Sequence, residues 1–263
     1  MAIASAGALA LDGDLGAVET LLTEQGDGVI NVADEDGRTM LHWASSGGHG
    51  AMVSYLLEHG AMVNALDGLG WTALHIAVSG GHAVITSALL AAGGDAFAIN
   101  SSGQLALHYA SSRNRLDCAR LLLETGGDRT AAMASFPDRS SNTPLHRAAA
   151  QGLADMVTVL VEAGAAISAV DLDGSTALHL ATVEQQLAVV RLLADAVRPF
   201  DSTIRWNTLL LPTGRRFDLN GCAASHAGRR RVAGDQRRGR ADRRGHCRSE
   251  GPGSVRLSCP LLF

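Results

Sequence analysis

Apolar residues recur through the first three quarters of the chain at helical spacing, and the pattern stops and restarts at regular intervals. Each cycle opens with a leucine and an alanine three places on, such as Leu41 with Ala44 or Leu74 with Ala77. It closes with a Leu-Leu pair, at Leu56-Leu57, Leu89-Leu90, Leu121-Leu122 and Leu192-Leu193. The spacing predicts two short helices per cycle whose apolar faces stack on the neighbouring cycles. Between cycles lie polar, glycine-bearing stretches that read as β-turn fingers.

The cycle carries a motif. Thr39-Met40-Leu41-His42, Thr72-Ala73-Leu74-His75, Leu105-Ala106-Leu107-His108, Thr143-Pro144-Leu145-His146 and Thr176-Ala177-Leu178-His179 share one pattern, with histidines 33, 33, 38 and 33 residues apart. A glycine stands two places before it at Gly37, Gly70, Gly103 and Gly174. The period and the T-P-L-H string resemble ankyrin repeats. The resemblance implies an all-α solenoid of about six helix-turn-helix units with β-turn fingers.

Local chemistry agrees with that architecture. Threonine at the head of the motif can accept a hydrogen bond from an orphan helical N–H, and proline costs nothing in a first turn. Leu105 lacks the hydroxyl, so the third helix pair is expected to start less firmly, by roughly 1 kcal/mol. Gly60, Gly93, Gly126 and Gly164 are expected to stop the second helix of their units by taking a left-handed conformation. A degenerate unit within 2–33 reads as an end cap, and full units follow at about 34–66, 67–99, 100–137, 138–170 and 171–198. The stretch from Gly126 to Ser141 is five residues longer than its counterpart from Gly60 to Gly70, so Thr130 to Ser140 is expected to be a mobile loop. The domains are therefore 1–198, the repeat array, and 199–263, an Arg/Gly-rich tail expected to be disordered.

Charge divides the chain at the same place. Residues 1–200 hold 9 arginines and 21 acids, whereas 201–263 hold 13 arginines and 5 acids, and lysine is absent throughout. Acidic excess argues against a nucleic-acid groove in the array, which would need cations to displace counterions. The tail changes character abruptly after Val197, where another repeat is due, and reads as a retained intron or frameshift. No run of about 18 apolar residues suggests a membrane span, and Met1 to Leu11 lacks the basic flank of a signal peptide. Four cysteines without a CxxC pair suggest neither a disulfide framework nor a zinc site, and Cys118 reads as a buried core thiol.

Five histidines in strict register argue against one catalytic or metal site, since a site needs its histidine once. Each is expected to bond its own repeat's turn, joining finger and helix. No nucleophile elbow, phosphate loop or dinucleotide fingerprint appears in the repeats. The expected role is protein binding without catalysis, cofactor, metal or small-molecule substrate. Solenoids bind through pattern-breaking residues on one concave strip, and here those include Asp36, Arg38, Trp71, Arg113, Arg115, Arg147 and Asp173. Arg38, Arg113, Arg115 and Arg147 form a candidate basic stripe, and Trp71 a candidate aromatic anchor. Trp43 is expected to pack within the array.

Several of these variable positions carry family-distinctive strings. Gly37-Arg38-Thr39 with Leu41-His42-Trp43-Ala44, Gly70-Trp71-Thr72 with Leu74-His75-Ile76-Ala77, Leu107-His108-Tyr109-Ala110 with Arg113-Asn114-Arg115, and His146-Arg147-Ala148-Ala149-Ala150 are similar in order to the second to fifth repeats of the gankyrin family. The resemblance spans roughly residues 8–196. It implies a monomeric chaperone of proteasome regulatory-particle assembly, cytoplasmic and nuclear. Its concave face would bind the C-terminal helical domain of one AAA+ ATPase subunit, with Arg38 and Arg113 pairing to acids on the partner and Asp36 and Trp71 contributing. Two departures stand out. Thr182 occupies the cysteine place of a retinoblastoma-type L-x-C-x-E string, and the family's seventh repeat is missing after Ala196. The alternatives are a generic ankyrin adaptor or inhibitor, for example of a kinase, and an RNA-associated protein acting through the tail.

Overall fold

The computed structural model describes residues 2–197 together with 209–210 and 216–217. The chain divides into two units, Met1–Ala196 and Val197–Phe263. The first is a stack of helix pairs: α1 Ala2–Asp12 with α2 Leu15–Gln25, α3 Met40–Gly47 with α4 Gly50–Glu58, α5 Ala73–Gly80 with α6 Ala83–Ala91, and α7 Ala106–Ser112 with α8 Leu116–Gly126. An extra short helix, α9 Thr130–Ala134, precedes the pairs α10 Pro144–Ala150 with α11 Ala154–Glu162 and α12 Ala177–Val183 with α13 Leu187–Val197. The all-helical ankyrin solenoid expected from the sequence is the fold. In the second unit, β1 Leu209–Leu210 pairs antiparallel with β2 Arg216–Phe217, Leu209 opposite Phe217. The expected disorder of the tail otherwise falls outside the described residues.

Helices of seven to nine residues are marginal alone, so packing must hold them. Inner helices stack in the order α1, α3, α5, α7, α10, α12, and outer helices α4, α6, α8, α11 form a second layer. The motif leucines Leu41, Leu74, Leu107 and Leu145 are at most 1% exposed, as are Leu56, Leu89, Leu122 and Leu160 of the outer helices. Cys118 is a buried thiol, 3.6 Å from the Thr86 hydroxyl.

Inner helices α3, α5, α7, α10 and α12 each begin one residue after the motif's first position. Leu105 does so too, although it offers no hydroxyl. Its own amide donates to His108 Nδ1 at 3.1 Å, which keeps half of the reciprocal cap, and its side chain is fully buried. The predicted weakness is thus countered by apolar burial.

The lengthened segment is not a mobile loop. Gly126 keeps a right-handed helical φ and does not stop α8. The chain turns instead at Gly127, with φ +51°, into a 3-10 turn, Gly127–Arg129, and α9. The Thr130 hydroxyl bonds the carbonyls of Leu123 and Gly127, and Met133 and Ala134 are completely buried. Packing of α9 on α8 converts the insertion into structure.

Candidate protein-binding face

Each finger is closed by one side chain. Asp34 Oδ1 accepts from the amides of Asp36 and Arg38, and Asp67 Oδ1 from those of Leu69 and Trp71. Asn100, Asp138 and Asp171 do the same in their fingers. Two and four residues on, these amides would otherwise be orphans of a tight turn. The glycine two places before the motif has φ between 72° and 77°, and Ser141 takes φ +58° where the glycine is missing.

Successive fingers are linked by backbone. Gly68 N donates to Asp36 O at 2.7 Å, Ser101 N to Leu69 O at 3.0 Å and Arg139 N to Ser102 O at 3.3 Å. The motif histidines add a second link, reaching beyond their own repeat as well as serving it. His42 Nδ1 accepts from Thr39 N at 3.1 Å, and its Nε2 donates to the Trp71 carbonyl of the next finger at 3.1 Å. His75 reaches Gln104 O at 3.1 Å, His108 reaches Asn142 O at 3.2 Å and His146 reaches Ser175 O at 3.1 Å. A carbonyl can only accept, and Nδ1 of His75, His108 and His146 accepts from the Thr72, Leu105 and Thr143 amides as His42 Nδ1 does from Thr39, so these rings carry their one proton on Nε2 and are neutral. Burial holds all four below the usual imidazole pKa, with His108 down to about 4.

Three of the sequence-predicted residues meet at one cleft of about 300 Å³, lined by Arg38, Ser46, Leu69, Trp71, Ile76 and Arg113 together with Asp67, Ser79 and Gly80. Arg38 is one-third exposed, with Nε 3.5 Å from Asp67 Oδ2 and its guanidinium carbon 4.9 Å from the Trp43 ring centre. Trp71 is half-buried, its ring 4.4 Å from that of Tyr109 and 5.9 Å from that of His75. Arg113 is exposed, and its Nη1 touches Ser79 O at 3.5 Å. Two arginines and one carboxylate line the cleft, so its formal charge is positive in an acid-rich array.

The other candidates lie elsewhere. Asp36 is exposed in the first finger, where its carbonyl holds the next finger. Arg115 lies against Gly81 at the helix-helix turn, and Asp173 is exposed in the last finger. Arg147 is hydrogen-bonded to the buried Asp138 carboxylate. Burial alone would raise the Asp138 pKa, but hydrogen bonds from Arg147, Gln104 and the Asn142 and Ser140 amides outweigh it and hold the carboxyl below its ordinary range. Trp43 donates from Nε1 to Asp34 Oδ2 at 2.8 Å and is half-buried in the array. Ile76 and Asp67 were not singled out by the sequence. Ile76 follows the motif histidine at a place held elsewhere by Trp43, Tyr109 and Arg147, and that variability was the available signal.

Among the described residues no His/Cys/Asp/Glu group could hold a metal ion, and no helix is long and apolar enough to cross a membrane.

A family model described as ankyrin repeats (3 copies) matches residues 6–96, 63–133 and 131–203. A homologue of transient receptor potential cation channel subfamily A member 1 from Caenorhabditis elegans is 40% identical over 63 residues, 24% of this chain. Rabankyrin-5 from Homo sapiens is 40% identical over 57 residues, 22% of this chain. The match spans only 5% of the length of either relative. Among solved structures, the ankyrin repeat domain of Bcl-3, a member of the IkappaB family, superposes with a TM-score of 0.64 at 31% identity, covering 73% of this chain and 85% of that one. A chain from the complex of a Bdellovibrio bacteriovorus predatory endopeptidase with an immunity protein gives 0.65 at 24% identity, covering 72% and 96%.

Proposed function

Given that the chain belongs to the ankyrin-repeat family, whose fold is typically a non-enzymatic scaffold for binding other proteins, we propose that it binds its partner at the cleft between the first fingers and the inner helices. The partner proposed is the C-terminal helical domain of an AAA+ ATPase subunit of the proteasome base, and the role that of a monomeric assembly chaperone, cytoplasmic and nuclear. The observation that supports this reading is the convergence of Arg38, Trp71 and Arg113, which lie in three different repeats, on one open cationic cleft. An aromatic anchor flanked by arginines is the composition of interface hot spots. By occupying the ATPase domain, the array would block its docking until assembly is complete. Arg115 and Asp173 extend the proposed contact beyond the cleft, as does Asp36.

A second reading, an adaptor or inhibitor of another protein, draws on the likeness to the ankyrin domain of Bcl-3. Titration calorimetry of the full chain with the C-terminal domains of the base ATPase subunits separates the two. Saturable binding to one domain supports the chaperone role. Absence of binding to every one of them by a folded chain rejects it in favour of the second.

A further inference from the structure

Asp67 is the most heavily used side chain at the cleft. Its Oδ1 accepts from the Leu69 amide at 2.9 Å and the Trp71 amide at 2.8 Å, and its Oδ2 stands 3.5 Å from Arg38 Nε. The side chain itself is only 3% exposed. One buried carboxylate therefore reaches two of the three residues that converge there. Trp71 is held on its other side as well, where its carbonyl accepts from His42. Arg38 lies against the Trp43 ring, so a carboxylate faces its Nε and an aromatic ring covers its guanidinium. The terminal nitrogens are then what this cation can offer to the cleft it lines.

The next finger shows which part of this the turn requires. Asn100 Oδ1 accepts from the Ser102 and Gln104 amides at 2.9 and 3.0 Å, so a neutral amide closes a finger as well as a carboxylate does. Charge at position 67 is not needed for closure. What the carboxylate adds is an anionic Oδ2 turned to a cation of the preceding finger. Asp138 also reaches the preceding finger, its Oδ2 accepting from the neutral Gln104 Nε2 at 3.2 Å, while its cation, Arg147, comes from its own repeat.

Resting on the cleft's proposed use in partner binding, we propose that Asp67 is a positioning residue of that site, holding Arg38 so that its terminal guanidinium nitrogens meet an acidic side chain of the partner. A free arginine loses much rotamer entropy when it is captured, and one already held loses less.

Asp67→Asn in the full chain isolates this role, because the amide retains the finger's acceptor. The first readout needs no partner: NMR exchange of the Arg38 Nε–H, with Arg113 as the internal reference and Trp71 emission reporting the finger. The expected result is exchange several-fold faster at Arg38 alone, with Trp71 emission unchanged. Unchanged exchange at Arg38 overturns the proposal. The second readout is affinity for the ATPase C-terminal domain in a double-mutant cycle. Asp67→Asn is expected to weaken binding about tenfold when Arg38 is present and to have no effect in an Arg38→Ala background. Equal losses in both backgrounds, or tighter binding, overturn it. Should the wild-type chain not bind that domain, the chaperone role fails, and Arg38 exchange decides the positioning role on its own.

Discussion

His42 and Trp71 lie 29 residues apart and in different repeats, yet the His42 ring donates to the Trp71 carbonyl at 3.1 Å while taking the Thr39 amide on its other nitrogen. One side chain thereby caps a helix and fixes the finger of the next repeat. The same bridge recurs at His75, His108 and His146, so the row of fingers is held by a series of neutral imidazoles.

Acid should loosen that series. A histidine whose pKa is lowered on folding binds fewer protons in the folded than in the unfolded chain between the two values, so stability falls as pH falls. The contribution is complete above about 6.5, the unfolded value, and declines towards the folded value, about 4 for His108. For His108 the loss is on the order of 3 kcal/mol. Urea unfolding between pH 7.5 and 4 should show it, and the His108 ring resonance should stay at its neutral position at pH 5.5. A ring that titrates near 6.5 contradicts a His108 pKa held down by burial.

Ser141 carries a left-handed backbone where four other fingers use glycine. Ser141→Gly is expected to stabilise the chain by about 1 kcal/mol, read as a raised urea midpoint with an unchanged slope. Destabilisation would mean that the Ser141 side chain supplies something the backbone does not require.

Leu105 illustrates a trade between cap and core. Leu105→Thr would restore the hydroxyl beside His108 Nδ1 but remove a fully buried leucine. A hydrogen bond is worth about 1 kcal/mol and the lost burial about 2, so net destabilisation of roughly 1 kcal/mol is expected. A more stable variant would show that the cap outweighs the packing.

Arg147 and Arg113 should part company experimentally. Arg147 is committed to the buried Asp138, which also receives Gln104 and two amides. Arg147→Ala should lower the melting temperature, since it leaves a buried carboxylate short of its partner, while Arg113→Ala should leave melting unchanged and weaken binding. The reverse pattern would place Arg147 in the interface and Arg113 in the fold.

The helix pairs were legible because their signals are local: a cap, an apolar period and a glycine within a few residues. The α9 insertion was not, because Gly126 reads as a stop, whereas the Thr130 hydroxyl and the burial of Met133 carry the chain onward into helix. The cleft was legible in part. Arg38, Trp71 and Arg113 break the repeat pattern and do converge, but Asp67 repeats a residue found at the head of most fingers and so reads as turn chemistry alone. Arg38 and Arg147 look alike in sequence as surface cations. Their ties to Asp67 in the next finger and Asp138 in the same repeat appear only once the fingers are closed and stacked.

The most direct test of the binding face is titration calorimetry of the full chain against the proteasomal ATPase C-terminal domain, comparing wild type with Arg113→Glu. The expected result is binding by the wild type and a loss of at least about tenfold in the variant, with its melting temperature unchanged. Equal affinity in the two proteins would contradict the assignment of the cleft as the binding face.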